Sequence, residues 1–294
     1  MTAVRQRLLQ WFHARPRAQV AALLAPGSVW LAGFFFLPLL LMFGYSFMTR
    51  NQYGVVEPAF TVTHYLRFAD SLYLTILVRT TLYAIGCTVA CLLLGYPVAY
   101  VIARGGRWRN FLLFLIVLPF WTSFLVRTFA MIFLMRDTGL VNNALIAIGL
   151  LDEPLQILYT PAAVMIGLVY GFLPFMVLPI YSSLEKLDLS LLEAAEVLGA
   201  RASSRFFRIT LPLSMPGVIA GSLLVFIPAL GSFLTSDLLG GAKQMMIGNL
   251  VQNQFTTARN WPFGSAASFA LMTLVLGAVM VYLRVRDQDE ASRS

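Results

Sequence analysis

The sequence predicts an all-α membrane protein, a single domain of six transmembrane helices. Three observations predict it. Of 294 residues, 59% are hydrophobic and 12% charged, and the mean hydropathy is +0.78, a balance far too apolar for a soluble domain. Six apolar runs each offer roughly the 20 residues needed to cross a bilayer. Basic residues gather in alternate segments, with 14 of the 21 Lys and Arg on the side that holds both termini.

Residues 1–19 form a basic arm with Arg5, Arg7, Arg15 and Arg17 and no acidic residue, which the positive-inside rule keeps in the cytoplasm. Val20 to Phe47 is span one, longer than a signal-peptide core and without a cleavage pattern. Its Pro26 and Pro38 mark a helix start and a kink, because proline lacks a backbone donor. A polar loop leads to span two, Leu74 to Ile102, followed by Arg104, Arg107 and Arg109. Span three is Phe111 to Leu134, interrupted by Arg127, for which an ion pair is expected, within the chain or with a partner's acidic residue. Leu140, Val141, Ala144, Leu145, Ile148 and Leu151 then recur at helical spacing over too short a run to cross, so they predict a surface helix.

Span four is Pro161 to Ser183, span five Pro216 to Ser236 and span six Gly264 to Leu283, so the transmembrane domain covers 20–283 and a tail 284–294 follows. Lys186, Arg201, Arg205 and Arg208 between spans four and five, and Arg284, Arg286 and Arg293 in the tail, put those segments in the cytoplasm with the N-terminal arm. Gly217 and Gly221 form a GxxxG pair at the start of span five, where small residues let helices approach.

The loop 184–213 is the long hydrophilic interruption between spans four and five. Within it Glu193, Ala194 and Ala195 are followed by Gly199, and later by Ile209, Leu211 and Pro212, in the pattern EAA-x3-G-x9-I-x-L-P. Asp188 or Ser190 caps a short helix, and Ser190 with Glu193 fits a capping box. Gly199 ends that helix in the left-handed conformation, and a second short helix leaves toward Pro212. The product is a helix–turn–helix knuckle whose alanines allow another surface to come close.

At these residues the chain resembles the permease subunits of bacterial ABC importers, with a type I six-span fold. In that family the EAA loop is a coupling helix that docks in a cleft of the ATP-binding subunit. The resemblance implies that Glu193, Ala194, Ala195, Gly199, Arg201, Arg205, Ile209, Leu211 and Pro212 couple the spans to an ATPase. Arg201 is a departure, since a small hydroxyl residue often stands there, and the second short helix loses that cap. The partners implied are an ATP-binding subunit dimer, a second permease subunit and an external binding protein, all at a bacterial inner membrane.

The residues leave other chemistries thinly supported. No Gly-x4-Gly-Lys-Ser/Thr loop occurs, so energy comes from a separate subunit and the chain is a non-catalytic translocation component. No Asp or Glu lies well inside a span, which disfavours an ion-coupled transporter. A membrane-embedded enzyme or scaffold is the other rival class. His13 and His64 form no zinc pattern, and Cys87 and Cys91, one helical turn apart, supply too few ligands for a metal, so no cofactor or metal is expected. The net charge of +8 is spread over separate loops rather than one face, which reports topology and not nucleic acid.

Three further stretches resemble the spermidine/putrescine branch of these permeases: LPFWTSFLVRT from Leu118, YGFLPFMVLPI from Tyr170, and DLLGGAKQMMIGNLVQNQF from Asp237. The resemblance implies a polyamine cargo, with other small cationic or amino-acid-derived solutes as alternatives. A polyamine spaces its charges along methylenes and suits a path of aromatic faces and carboxylates. Phe120, Trp121, Tyr170, Phe175 and Asp237 are the candidates for that path. Each aromatic has an alternative role in packing or interfacial anchoring, and Asp237 in pairing with Lys243 or Arg259.

Overall fold

The structure, a computed structural model, describes residues 16–291, so most of the N-terminal arm and the end of the tail lie outside the described residues. In chain order the first elements are α1 (Pro16–Leu31), α2 (Leu37–Ser46), the strands β1 (Thr49–Arg50) and β2 (Val56–Glu57), and α3 (Thr63–Phe68). They are followed by α4 (Ser71–Arg104), α5 (Arg109–Val117), α6 (Phe124–Met135), α7 (Leu140–Ala147) and α8 (Pro161–Glu185). The last are α9 (Leu189–Val197), α10 (Ala202–Arg205), α11 (Leu211–Gly231), α12 (Leu234–Gly240), α13 (Ile247–Thr256) and α14 (Trp261–Ala291).

Among the described residues, four helical stretches are long and apolar enough to cross a membrane: Leu23–Ser46, Ser71–Arg104, Pro161–Glu185 and Ala202–Gly231. The expected third span differs from a straight helix. Gly106–Trp121 and Phe124–Ala147 meet at 92°, a bent pair that makes a fifth crossing if it is counted as one. The physical cause is local. Thr122 and Ser123 take extended ψ values of 153° and 141°, and Ser123 caps the new helix by accepting from the Leu125 amide at 3.3 Å. The surface helix expected after span three is α7. The place of the sixth span is taken by α14, whose start, Trp261–Gly277, is a shorter apolar stretch.

The chain divides into two units, 16–68 with 254–291 and 69–253. In the first, α14 packs on α2 and α3, with Phe43 and Phe269 edge to face at 5.3 Å. Pro26 lies inside α1 and does not start it. Pro38 follows a π-helical segment, Ala32–Phe36, whose wider turn accommodates the missing amide without breaking the helix. A short antiparallel hairpin joins Thr49 to Glu57 and Arg50 to Val56. Its turn is closed by Asn51, whose side-chain oxygen accepts from the Tyr53 and Val55 amides at 3.0 Å each.

In the second unit α4, α8 and α11 pack on one another around a core that includes Cys87, Tyr96, Leu168, Met176, Ile180 and Val225. Gly217 and Gly221 make the α11–α8 approach possible. A Cβ on Gly221 would lie 2.9 Å from Met176 Sδ. Tyr96 Oη and Ser214 Oγ, 2.8 Å apart, join α4 to α11. Cys87 and Cys91 are buried free thiols in this core.

Candidate functional site: the knuckle and the aromatic path

The knuckle is built on α8's end. Leu187 and Asp188 leave the helix, and Asp188, not Ser190, caps α9, its carboxylate accepting from the Ser190 amide at 2.9 Å. Helix α9 therefore begins at Leu189, Ser190 already lies inside it, and the Ser190–Glu193 capping box is not formed. Hydrogen bonding from Ser190 holds the Asp188 carboxyl below its usual range. At the other end Gly199 has φ +79°. The Ala200 amide donates to the Ala195 carbonyl at 2.9 Å and the Gly199 amide to Glu196 at 2.8 Å, the paired bonds of a Schellman turn.

This turn carries the tip of the loop into solvent. Val197 and Leu198 are 88% and 87% exposed, while Leu192, on the opposite face of α9, is buried beside the C-terminal end of α4. Glu193 and Ala194 are exposed beside Leu191, and Ala195 is half-buried. The outer face of α9 is thus small and apolar with one carboxylate, and its inner face is fixed to the bundle. Arg201 starts α10 without a side-chain cap, as its departure from the motif implies. Arg205 forms an ion pair with Glu196 that ties α10 to α9.

The second arm differs from a separate short helix. Helix α10 runs through a π-helical segment, Phe206–Thr210, into α11, so Ala202–Gly231 is unbroken. Pro212 sits just after that wide turn, as Pro38 does after its own. Ile209 and Leu211 are half-buried and Pro212 is exposed, so these three belong to the base of the fifth span and not to the tip. Phe206 stands edge-on to Tyr96 and Tyr100, at 5.6 and 6.1 Å, wedging the segment against α4. A cavity of about 230 Å³ lies between the knuckle and α4, bordered by Tyr100, Arg104, Leu192, Glu196, Arg205 and Thr210.

Of the path residues, the structure brings Phe120 and Phe175 together, edge to face at 6.0 Å. The guanidinium of Arg127 lies 4.1 Å over the Phe120 ring. Its Nε and one Nη are buried without a hydrogen-bond partner, and among the described residues no carboxylate pairs with it. Trp121 is 74% exposed and packs on Phe114 at 5.7 Å, apart from that pair. Tyr170 is exposed on α8.

Asp237 lies beyond a break in the chain at Ser232, on α12, and its partner is neither Lys243 nor Arg259. The Asn249 amide donates to Asp237 Oδ1 at 2.5 Å and to the Phe233 carbonyl at 3.0 Å. Asn249 Oδ1 in turn accepts from the Met246 amide at 3.0 Å. The sequence signal for this residue was slight, one more polar side chain in a stretch already rich in Asn and Gln.

Comparison with known proteins fits this geometry. Residues 91–286 match the family described as binding-protein-dependent transport system inner membrane component. The spermidine/putrescine transport system permease protein PotB of Escherichia coli K12 is 48% identical over 257 residues, 87% of this chain and 93% of the relative. PotB of Haemophilus influenzae is 46% identical over 256 residues, 87% of this chain and 90% of the relative. Among solved structures, a bacterial alginate ABC transporter in complex with an alginate pentasaccharide-bound periplasmic protein shares the fold, with TM-score 0.67 at 19% identity over 92% of this chain and 94% of that one. The chain belongs to the family of binding-protein-dependent transport system inner membrane components.

Proposed function

We propose that this chain is the inner-membrane permease subunit that moves a polyamine of the spermidine/putrescine class through an importer whose ATP is hydrolysed by a separate subunit. The 48% identity to a spermidine/putrescine permease over nearly the full length of both chains carries the reading. Six spans, with α14 as the sixth and both termini cytoplasmic, complete the topology. Residues 20–283 form the transmembrane domain, with the arm 1–19 and the tail 284–294 beside the 184–213 loop on the cytoplasmic side.

The exposed face of α9, with Glu193, Ala194 and the Val197–Leu198 tip, docks in a cleft of the ATP-binding subunit. Gly199 sets the angle between its two arms. Arg201 and Arg205 flank that face, and Ile209, Leu211 and Pro212 pass its movement into the fifth span. Closure of the ATPase pair displaces the knuckle, and the unbroken Ala202–Gly231 helix carries the displacement across the membrane. A second permease subunit completes the cavity, and an external binding protein delivers cargo near Asp237. Phe120, Phe175, Trp121 and Tyr170 offer aromatic faces to the methylene-spaced ammonium groups.

The test is copurification of the tagged chain with its neighbours, followed by uptake of labelled spermidine and putrescine into vesicles holding ATP and the binding protein. An ATPase partner with ATP-dependent polyamine uptake supports the reading. An ATPase partner with uptake only of another cationic solute replaces the cargo, and the absence of any ATPase partner overturns the coupling role.

A further inference from the structure

Beneath the knuckle, the cavity between α9, α10 and the end of α4 has features that transport coupling does not use. Glu196 on its wall is neutralised by Arg205. Arg104, also on the wall, makes no ion pair among the described residues, and its guanidinium lies 4.4 Å over the Tyr100 ring. The wall therefore carries one uncompensated positive charge.

Thr210 supplies an independent observation. Threonines inside helices of this chain return their hydroxyl to the carbonyl one turn back: Thr75, Thr80, Thr81, Thr88, Thr128 and Thr273 all do so at 2.7–2.9 Å. Thr210, in the π-helical segment, makes no such bond, although it is only 2% exposed. It borders the same cavity as Arg104. At about 230 Å³ the space exceeds a phosphate group and admits several waters, each occupying about 30 Å³ in the liquid.

We propose that this cavity is a binding site for an anionic phosphate group, held by the Arg104 guanidinium and the Thr210 hydroxyl with Arg205 beside it. Arg104 supplies a charge-assisted donor fork and Thr210 a neutral donor, a pairing suited to phosphate oxygens. A phosphate-bearing lipid headgroup and free inorganic phosphate share this chemistry. Basic clefts between spans at the cytoplasmic surface take the former. A phosphate seated there would bridge α4 to the α10–α11 helix and hold the base of the knuckle to the bundle.

The test uses the intact chain in its complex, purified in mild detergent, for the wild type and for Arg104→Gln and Thr210→Val. Thr210→Val keeps volume and removes only the hydroxyl. Retained phospholipid is measured by native mass spectrometry, and inorganic phosphate binding by calorimetry on delipidated protein. Retention of anionic phospholipid by the wild type, reduced about tenfold in Arg104→Gln and measurably in Thr210→Val, supports a headgroup site. Phosphate binding that both substitutions weaken, without lipid retention, supports a free-phosphate site. Equal retention and equal phosphate affinity in all three proteins overturn the proposal. These readouts do not depend on cargo uptake, so a failed transport assay and a failed phosphate site are told apart.

Discussion

Gly217 lies against Pro179 so closely that a Cβ on the glycine would fall 2.5 Å from the Pro179 carbonyl oxygen. The same Cβ would meet Ser183 Oγ at 2.5 Å. The Ser183 hydroxyl can rotate away, but the Pro179 carbonyl is backbone and cannot yield. Gly217→Val is expected to destabilise the α8–α11 pair by about 1–3 kcal/mol through overpacking. Thermal unfolding in detergent reads this out. Gly27→Ala, inside α1 where a Cβ would meet nothing within 4 Å, is the control expected not to lower the midpoint.

Gly199 is a different case, because a Cβ there would also meet nothing within 4 Å, yet its φ is +79°. The cost of a side chain is conformational, about 1–2 kcal/mol for an ordinary residue in the left-handed region. Gly199→Val should leave membrane insertion intact while ATP-dependent uptake falls. Asn tolerates this conformation better than other residues, so Gly199→Asn should retain more uptake than Gly199→Ala, and Gly199→Val least. Equal uptake by all three variants would sink the coupling role of the turn.

At the other end of the protein, Asn249 fixes one oxygen of Asp237 and leaves the carboxylate exposed. If that charge draws cationic cargo, Asp237→Asn should raise the KM for spermidine about threefold to tenfold, the scale of one exposed charge at close range. Asn249→Ala frees the carboxylate without removing it and should raise KM less. Initial uptake rates over a range of spermidine concentrations distinguish the two. An unchanged KM in Asp237→Asn would remove the residue from the path.

The Asp188 cap has a pH signature. Hydrogen bonds from Ser190 lower the folded pKa of its carboxyl below the ordinary 3.8. A lowered folded pKa means that the stabilisation is fully present above the unfolded value and is lost as pH falls through the folded one. The first turn of α9 should therefore keep its amide protection down to pH about 4 and lose it only below that. Hydrogen exchange at Ser190 and Leu191 measures this. Asp188→Ala should expose the same amides at every pH, whereas Asp188→Asn, also a good cap, should keep them protected.

The sequence announced the knuckle because its spacing ends in a glycine whose backbone angle few other residues take. The family assignment bears out the resemblance drawn from that spacing and, with it, the view of the chain as a translocation subunit and not an enzyme. Which residue capped α9 was less legible, since Asp188 and Ser190 have equivalent oxygens and only the path of the backbone after Leu187 selects between them. The bend in the third span was hidden by composition. An apolar window sees Leu118 to Leu125 as continuous, whereas the break depends on two extended residues, Thr122 and Ser123. Arg127 was visible as a cation among apolar residues, but that bend is what places Phe120 under its guanidinium, where an acidic partner was expected. Asp237 was visible too. Its tie to Asn249 follows from the turn at Ser232, which no local pattern encodes.

The π-helical turn before Pro212 has a mechanical meaning. Without it the proline would hinge the chain at the membrane surface, and the knuckle could swing while the span stayed still. With it, Ala202–Gly231 stays continuous over 30 residues, about 45 Å at 1.5 Å per residue, although Pro216 and Pro228 each remove a backbone hydrogen bond within it. A lever of that length turns a tilt of about 5° at one end into a stroke of about 4 Å at the other. The joint instead falls at Ser232, immediately before the helix that carries Asp237, so under the proposed function a stroke begun at the knuckle would be delivered beside Asp237.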